Sequence, residues 1–322
     1  MQLIGSGLQF PEGPIALPDG SVLLVEIARG TLTRVSADGS VSHPVRLGGG
    51  PNGAAFGPDG RVYVCNNGGL EWSHRNGRVM PTWGLPADYA GGWIEAVDLA
   101  TGKAERLYTQ HGERPLSAPN DLVFDADGGF WFTDSGKQHA HHRDHGCLYW
   151  ARADGSEIRL VAEHLEAPNG VGLSPDGRTL YVAETNTARL WAWPVTAPGE
   201  LQRERGKVAH GGRFVAGSAA FQRFDSLAVA ASGNVLVGTL VNGGITEISP
   251  DGQLVRHHPL PDRMVTNLCF GGPDLKTLFV TLAHSGQLAA LPWHEPGLRL
   301  NHQAVVSAID SPKTEKACQV GS

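Results

Sequence analysis

The chain has 322 residues, 41% of them hydrophobic, with 43 glycines, 21 prolines and a formal net charge of −6. That charge argues against a nucleic-acid or anionic-membrane partner, which would require a basic face, and no apolar run is long enough for a spanning helix. Abundant glycine with short apolar segments indicates many tight turns and an all-β protein. The N-terminal MQLIGSGLQF has neither a basic n-region nor an apolar h-region, so a signal peptide is not expected. Cys65, Cys147, Cys269 and Cys318 show no CxxC spacing and read as reduced thiols, with Cys65 and Cys269 in strands. Both features predict a cytoplasmic location.

One unit recurs along the chain. It opens as PEGPIALPDGSVLLVEI at Pro11, PNGAAFGPDGRVYVCNN at Pro51, PNDLVFDADGGFWFTDSG at Pro119 and PNGVGLSPDGRTLYVAET at Pro168. Weaker copies are FDSLAVAASGNVLVGTL from Phe224 and TNLCFGGPDLKTLFVTLA from Thr266. The register is fixed by the turn. Seven residues before Asp19, Asp59, Asp127, Asp176, Ser232 and Asp274 stand Glu12, Asn52, Asn120, Asn169, Asp225 and Asn267. A repeat of roughly 40–50 residues built from short strands is the signature of a propeller with about four strands per blade.

In chain order, blade one takes strands near 15–17, 21–26, 31–36 and 41–47. Blade two uses 52–66 for its first two strands, then a long insertion to Gly92, then 93–98 and 104–108. Blade three lies within 121–133, 147–152 and 158–163; blade four at 171–173, 180–184, 189–194 and an outer strand near 206–210. Blade five follows at 227–229, 235–239, 244–249 and 254–259, and blade six at 268–270, 277–281 and 287–292. Blade six lacks an outer strand, whereas QLIGSGLQF precedes PEG as RLVAEHLEA precedes PNG at Pro168. The N-terminal strand is therefore expected to pair with blade six and close the ring, removing an open edge. The expected organisation is a single six-bladed β-propeller domain over residues 1–300 and a C-terminal segment over 301–322 that ends in a loose polar tail.

The key polar residue opens the innermost strand of each blade, so all six meet at one mouth of the central channel. The same face receives the loops 68–92, 135–146 and 211–222. Glu12 and Asp225 are anions, and Asn120 and Asn169 offer carbonyl oxygens. That donor set suits one hard divalent cation, Ca²⁺ before Mg²⁺, Mn²⁺ or Zn²⁺. A single Asn before Gly is ordinarily a turn residue bonding its own backbone; six in register at a channel mouth are not explained that way. Asn52 and Asn267 are expected to orient solvent or backbone.

Asp121 and Asp134 are expected to support the site, Asp121 also touching substrate together with Asn120. Trp72 and Trp83 are expected as an apolar pocket wall, and Trp93 as wall or blade packing. The loop GKQHAHHRDHG, with His139, His141, His142 and His145, reads as a solvated lid rather than a second metal site, with His141 reaching substrate. Glu184 ends a strand and is open to either an exposed or a substrate-facing reading.

PEGP at Pro11, SAPNDL at Ser117, APNGVGLSPDGRTLYVAET at Ala167, FDSLAV at Phe224 and VTNLCFGGPDLKTLFVT at Val265 resemble the senescence marker protein/gluconolactonase/luciferin-regenerating-enzyme (regucalcin-like) family, over about Gly5 to Trp293. The resemblance implies a six-bladed propeller whose channel metal is held at Glu12, Asn169 and Asp225, with Asn120 completing the site or contacting substrate. It implies hydrolysis of a lactone by metal-activated water, with Asp225 as general base. The sugar-lactonase branch carries an Arg two positions before the Asn of PND. Ala118 stands there, which turns the expectation away from a simple aldonolactone. The related diisopropylfluorophosphatase shares the four-oxygen site, so a phosphotriesterase-like hydrolase is one alternative. A partner-binding propeller without chemistry and a strictosidine-synthase-like enzyme are others. The expected ligand is a small lactone or ester, and a monomer or weak oligomer is expected because no apolar stripe demands a partner.

Overall fold

Five blades share one local chemistry at the reversal between their two innermost strands, where the turn Asp or Ser accepts the amide two residues on; in blade three Asp125 takes that part, accepting the Asp127 and Gly129 amides at 3.0 Å. The Asp59 carboxylate accepts the Arg61 amide at 3.1 Å, Asp176 accepts Arg178 at 3.1 Å and Asp274 accepts Lys276 at 3.1 Å. In blade five the Ser232 hydroxyl accepts the Asn234 amide at 3.2 Å. Gly60 and Gly177 follow at φ of 79° and 69°, a region that a Cβ disfavours. The hairpins so formed stack into a computed structural model that describes residues 1–82 and 84–303.

Among the described residues six antiparallel blade sheets result, with two separate two-stranded hairpins in the loops. Blade one comprises Pro11–Ala16, Val22–Glu26, Thr31–Val35 and Val41–Arg46; blade three comprises Pro119–Phe124, Gly129–Asp134, Gly146–Arg152 and Ile158–Leu165. The Gln2–Ser6 strand pairs antiparallel with Gln287–Pro292 of blade six, as Leu3 opposite Ala289 and Ser6 opposite Gln287. The N-terminal strand therefore closes the ring as the sequence predicts. Cys65, Cys147 and Cys269 are free thiols within strands, whereas Cys318 and the expected tail lie outside the described residues. Among the described residues no helix is long and apolar enough to cross a membrane.

The core is divided among the blade interfaces, because each twisted sheet buries both faces against its neighbours. Ile15, Val25 and Leu32 of blade one meet Phe56, Val62 and Val97 of blade two. Tyr63, Phe124, Phe130 and Phe132 fill the next interface. Leu24, Val35, Phe279 and Leu288 join blade one to blade six.

Blade four corrects one expectation. Its outer strand is Arg213–Gly217, paired with Arg189–Ala197, and residues 206–210 are not strand. His210 is buried against Trp191 and Trp193 at ring distances of 4.6 and 5.5 Å. The chain is thereby drawn inward before the outer strand starts, and Val215 and Ala216 then supply the apolar contacts to blade five. The loop expected at 211–222 shrinks accordingly.

A second feature was not anticipated. Residues after Trp293 cross the far end of the ring: Leu298 N donates to Val229 O at 2.9 Å, Asn301 Nδ2 to Phe124 O at 3.1 Å and Gln303 Nε2 to Phe270 O at 3.4 Å. With Leu300 they cover a small apolar space of about 100 Å³ at that end of the channel.

Candidate active site at the channel mouth

The key polar residues sit at bulges. Regular pairing between the two innermost strands breaks between Glu12 and Ile15, Pro51 and Ala54, Pro119 and Leu122, Pro168 and Val171, and Phe224 and Leu227. A bulge re-aims side chains that an unbroken ladder would send into the blade interfaces. The residue after the polar one lies where neighbouring innermost strands abut. A Cβ on Gly53 would stand 2.6 Å from Asn120 O, and one on Gly170 2.5 Å from Leu227 N, which explains glycine in PNG. Blade three carries Asp121 at this position.

Glu12, Asn52, Asn120, Asn169 and Asp225 line one cavity of about 520 Å³, within the range typical of small-molecule sites. All are buried, Glu12 to 2% exposure and Asp225 to 7%. Asn267 stands beside them and donates from Nδ2 to Glu12 Oε2 at 2.8 Å, where Gly13 N also donates at 3.0 Å. Ser226 Oγ donates to Asn169 Oδ1 at 3.1 Å and Asn169 Nδ2 to Thr185 Oγ1 at 3.2 Å. The Asn169 amide also hydrogen-bonds Asp225. Its two ends exchange by a half-turn, so the same side chain can serve as donor to Asp225 or as an oxygen ligand.

The electrostatics of this cluster are unbalanced. Among the described residues no basic side chain bonds Glu12, Asp121 or Asp225. Burial, reinforced by Asp225 and Asp121, holds the Glu12 carboxyl well above its ordinary range. Burial raises Asp225 to about 8 and Asp121 to about 7, the Asp121 charge adding to the rise at Asp225. The buried Asn120 Oδ1 has no hydrogen-bond partner among the described residues, a costly condition for a carbonyl oxygen. Two carboxylates without a counter-charge beside an unpaired amide oxygen fit a divalent cation. No histidine or cysteine lines the cavity among the described residues, which favours hard oxygen-seeking ions such as Ca²⁺ over soft ones.

Several expected residues are placed elsewhere. Asp121 does not line this cavity; it borders the small apolar space on the opposite side of the polar ring, its Oδ1 accepting Leu122 N at 2.9 Å. Trp72 belongs to the hairpin Trp72–Arg75 with Arg78–Pro81 and packs behind Phe10, ring centroids 5.3 Å apart. It is Phe10, with Ile27, Leu240 and Met264, that faces the cavity. Trp83 lies outside the described residues.

His141 is exposed and off the cavity wall. Its loop contributes Ser135, Gly136, Lys137, Gln138 and Arg143 to that wall instead. His139 and His142 stack at 4.2 Å, and with Asp144 their ligating atoms lie within 4.8 Å. Asp144 is already committed, however, accepting Ser117 Oγ at 2.6 Å and Lys137 N at 3.2 Å, so the group braces the loop.

Asp134 and Glu184 prove to be loop anchors. Asp134 accepts the Ser117, Ala118 and Gly136 amides at 2.7–3.0 Å, and Glu184 accepts Glu166 N at 2.8 Å and Thr187 Oγ1 at 2.6 Å. Trp93 packs within its blade under Arg106, 3.8 Å from the ring centre.

Lys137, Arg143 and Arg223 were not anticipated as wall residues. For Arg223 a signal existed. Phe10, Ala118, Ala167 and Arg223 each stand two positions before the key polar residue, and all four line the cavity. In four of the six repeats that offset therefore marks a wall residue, readable from the repeat.

Comparison with known proteins agrees with this architecture. The model of the SMP-30/Gluconolactonase/LRE-like region matches residues 10–284. A gluconolactonase of Zymomonas mobilis is 25% identical over 313 residues, covering 88% of this chain and 79% of that protein. Lactonase drp35 of Staphylococcus saprophyticus is 30% identical over 192 residues, 59% of this chain and 52% of that protein, so the match spans about half of that relative. Among solved structures, regucalcin of Agrobacterium tumefaciens, described as a calcium-binding protein, aligns with a TM-score of 0.69 at 20% identity, covering 93% of this chain and 97% of that one. At that identity the likeness is one of fold.

Proposed function

The chain belongs to the SMP-30/gluconolactonase/LRE-like family, and from that premise we propose that it is a divalent-metal-dependent hydrolase that opens a lactone in the cavity at the channel mouth. The lactonase names of its relatives support the reaction class. The observation that carries the metal is the buried pair Glu12 and Asp225, without basic partners, beside the unpaired Asn120 Oδ1. Glu12, Asn120, Asn169 and Asp225 would hold the cation, Ca²⁺ by donor type. Bound there, it supplies Lewis-acid polarisation of the ester carbonyl and compensates the two carboxylates.

The chain's own residues do the rest. Asp225 accepts the proton of the attacking water as the new C–O bond forms, and returns it to the ring oxygen as the lactone C–O bond breaks. Asn267 Nδ2 and Gly13 N hold the Glu12 carboxylate in place. Ser226 and Thr185 hold the Asn169 amide against Asp225. Phe10, Ile27, Leu240 and Met264 supply an apolar wall for the substrate's carbon skeleton.

Asp225→Asn tests the assignment, because the amide keeps the shape and removes the base; since it also removes an anionic ligand, turnover is read with the metal in excess. Turnover falls by about 10²–10⁴-fold with an unchanged circular dichroism spectrum. Near-normal turnover in that variant contradicts the role given to Asp225.

A further inference from the structure

Three basic side chains on the cavity wall have no part in holding a cation, and their bonding is incomplete. Lys137 is 4% exposed and makes one side-chain hydrogen bond, from Nζ to the Gly69 carbonyl oxygen at 2.6 Å, with Nζ 5.1 Å from the Tyr89 ring centre. Arg143 donates from Nη2 to Ser135 O at 2.9 Å and to Gly136 O at 3.5 Å, while its buried Nε has no partner among the described residues. Arg223 forms no side-chain hydrogen bond or ion pair among the described residues. Burial disfavours the charge on both Arg143 and Lys137; Glu166 and Asp144 oppose that at Arg143 and Asp134 opposes it at Lys137, while Arg223 acts against Arg143 and Arg143 against Lys137.

The nearby carboxylates are otherwise engaged. Asp134 is bonded to backbone amides, Asp144 to Ser117, Lys137 N and His139, and Glu166 lies 3.6 Å from His145. None forms an ion pair with Lys137, Arg143 or Arg223 among the described residues. Once a divalent cation compensates Glu12 and Asp225, the described cavity lining carries Lys137, Arg143 and Arg223 and no further carboxylate, with Asp134, Asp144 and Glu166 set off the lining. Lys137 is buried and the two arginines half-buried, and grouping like charges on a cavity wall is unfavourable unless a ligand brings an anion to them.

We propose that Lys137, Arg143 and Arg223 form an oxyanion-binding subsite, so that the substrate is a lactone carrying an anionic substituent such as a carboxylate. Arg143 and Arg223 offer planar donor forks and Lys137 a point charge, the combination suited to carboxylate recognition. The Arg143 Nε–H is desolvated and, among the described residues, without a partner. Specificity follows from the same feature. A neutral lactone leaves the wall's charged donors unmatched, and that penalty discriminates more strongly than apolar fit.

This inference rests on the hydrolase reading, and the experiment separates the two. The probes are two lactones of equal ring size, one bearing a carboxylate and the other the corresponding carboxamide, assayed on the metal-loaded enzyme. Wild type prefers the acid by at least about tenfold in kcat/KM, expressed mainly in KM. Lys137→Met, Arg143→Gln and Arg223→Gln each lower kcat/KM at least about tenfold more for the acid than for the amide. Added salt narrows the preference. Equal losses on both lactones, or an unchanged preference in all three variants, overturn the subsite.

Calorimetric binding of the open-chain dicarboxylate, measured on wild type and Arg223→Gln, covers the remaining case. If neither lactone is hydrolysed but the dicarboxylate binds wild type and not the variant, the hydrolase reading fails and the anion subsite stands. If the dicarboxylate binds neither protein, the subsite fails whatever the lactone results.

Discussion

Lys137 illustrates how a single residue trades stability for a site. Burial lowers its ammonium to about 8 from 10.5. Between those values the unfolded chain binds the extra proton, so stability rises with pH through that window; below about 8 the folded state carries the full cost of a buried charge. Lys137→Met removes the charge and keeps the apolar stem. It is therefore more stable than wild type at pH 7, by roughly 1–2 kcal/mol after the lost bond to Gly69 is deducted. The difference fades as pH rises from about 8 towards 10.5. Denaturant melts of the two proteins across that range check the sign; a gap that does not change with pH contradicts it.

At the scale of the strand and turn, two glycines do different work. Gly177 has φ of 69° with nothing near a hypothetical Cβ, whereas a Cβ on Gly170 would stand 2.5 Å from Leu227 N and 2.7 Å from Ser226 C. Gly177→Ala costs about 1 kcal/mol of backbone strain and leaves the site intact. Gly170→Ala forces blades four and five apart beside Asn169 and Asp225. It costs about 3 kcal/mol and weakens metal binding as well. Thermal melts with and without metal distinguish them, and equal behaviour of the two variants contradicts the close-packing account.

Much of this level was legible in the sequence, because turn chemistry and a fixed offset are local. The Asp-Gly reversals located nearly every inner strand, and the seven-residue offset located the polar ring. The outer strand of blade four was not legible, because His210 packing against Trp191 and Trp193 is a tertiary event with no local signature. Asp121 looked like Asn120's companion in sequence, yet a bulge sends adjacent side chains to opposite sides of the ring. Lys137 was hidden for a related reason. A charged residue in a Gly-flanked loop reads as solvated, and only the fold places it beneath Tyr89 and against Gly69.

For the whole molecule, six interfaces and one N-terminal closure produce a channel with unlike ends. One end is covered by Leu298, Leu300 and Asn301 over apolar side chains. The other holds the carboxylate and carboxamide ring under basic and apolar walls. The proposed chemistry thus belongs to one face, where the proposed cation would compensate the buried carboxylates.

The most direct test is elemental analysis of the purified protein, paired with lactone hydrolysis before chelation, after chelation and after metal is restored. The account predicts one divalent ion per chain, hydrolysis that disappears with it and returns on its replacement, and a lower melting temperature for the stripped protein. Protein without metal, or hydrolysis indifferent to its removal, would contradict a metal-dependent site built from Glu12, Asn120, Asn169 and Asp225.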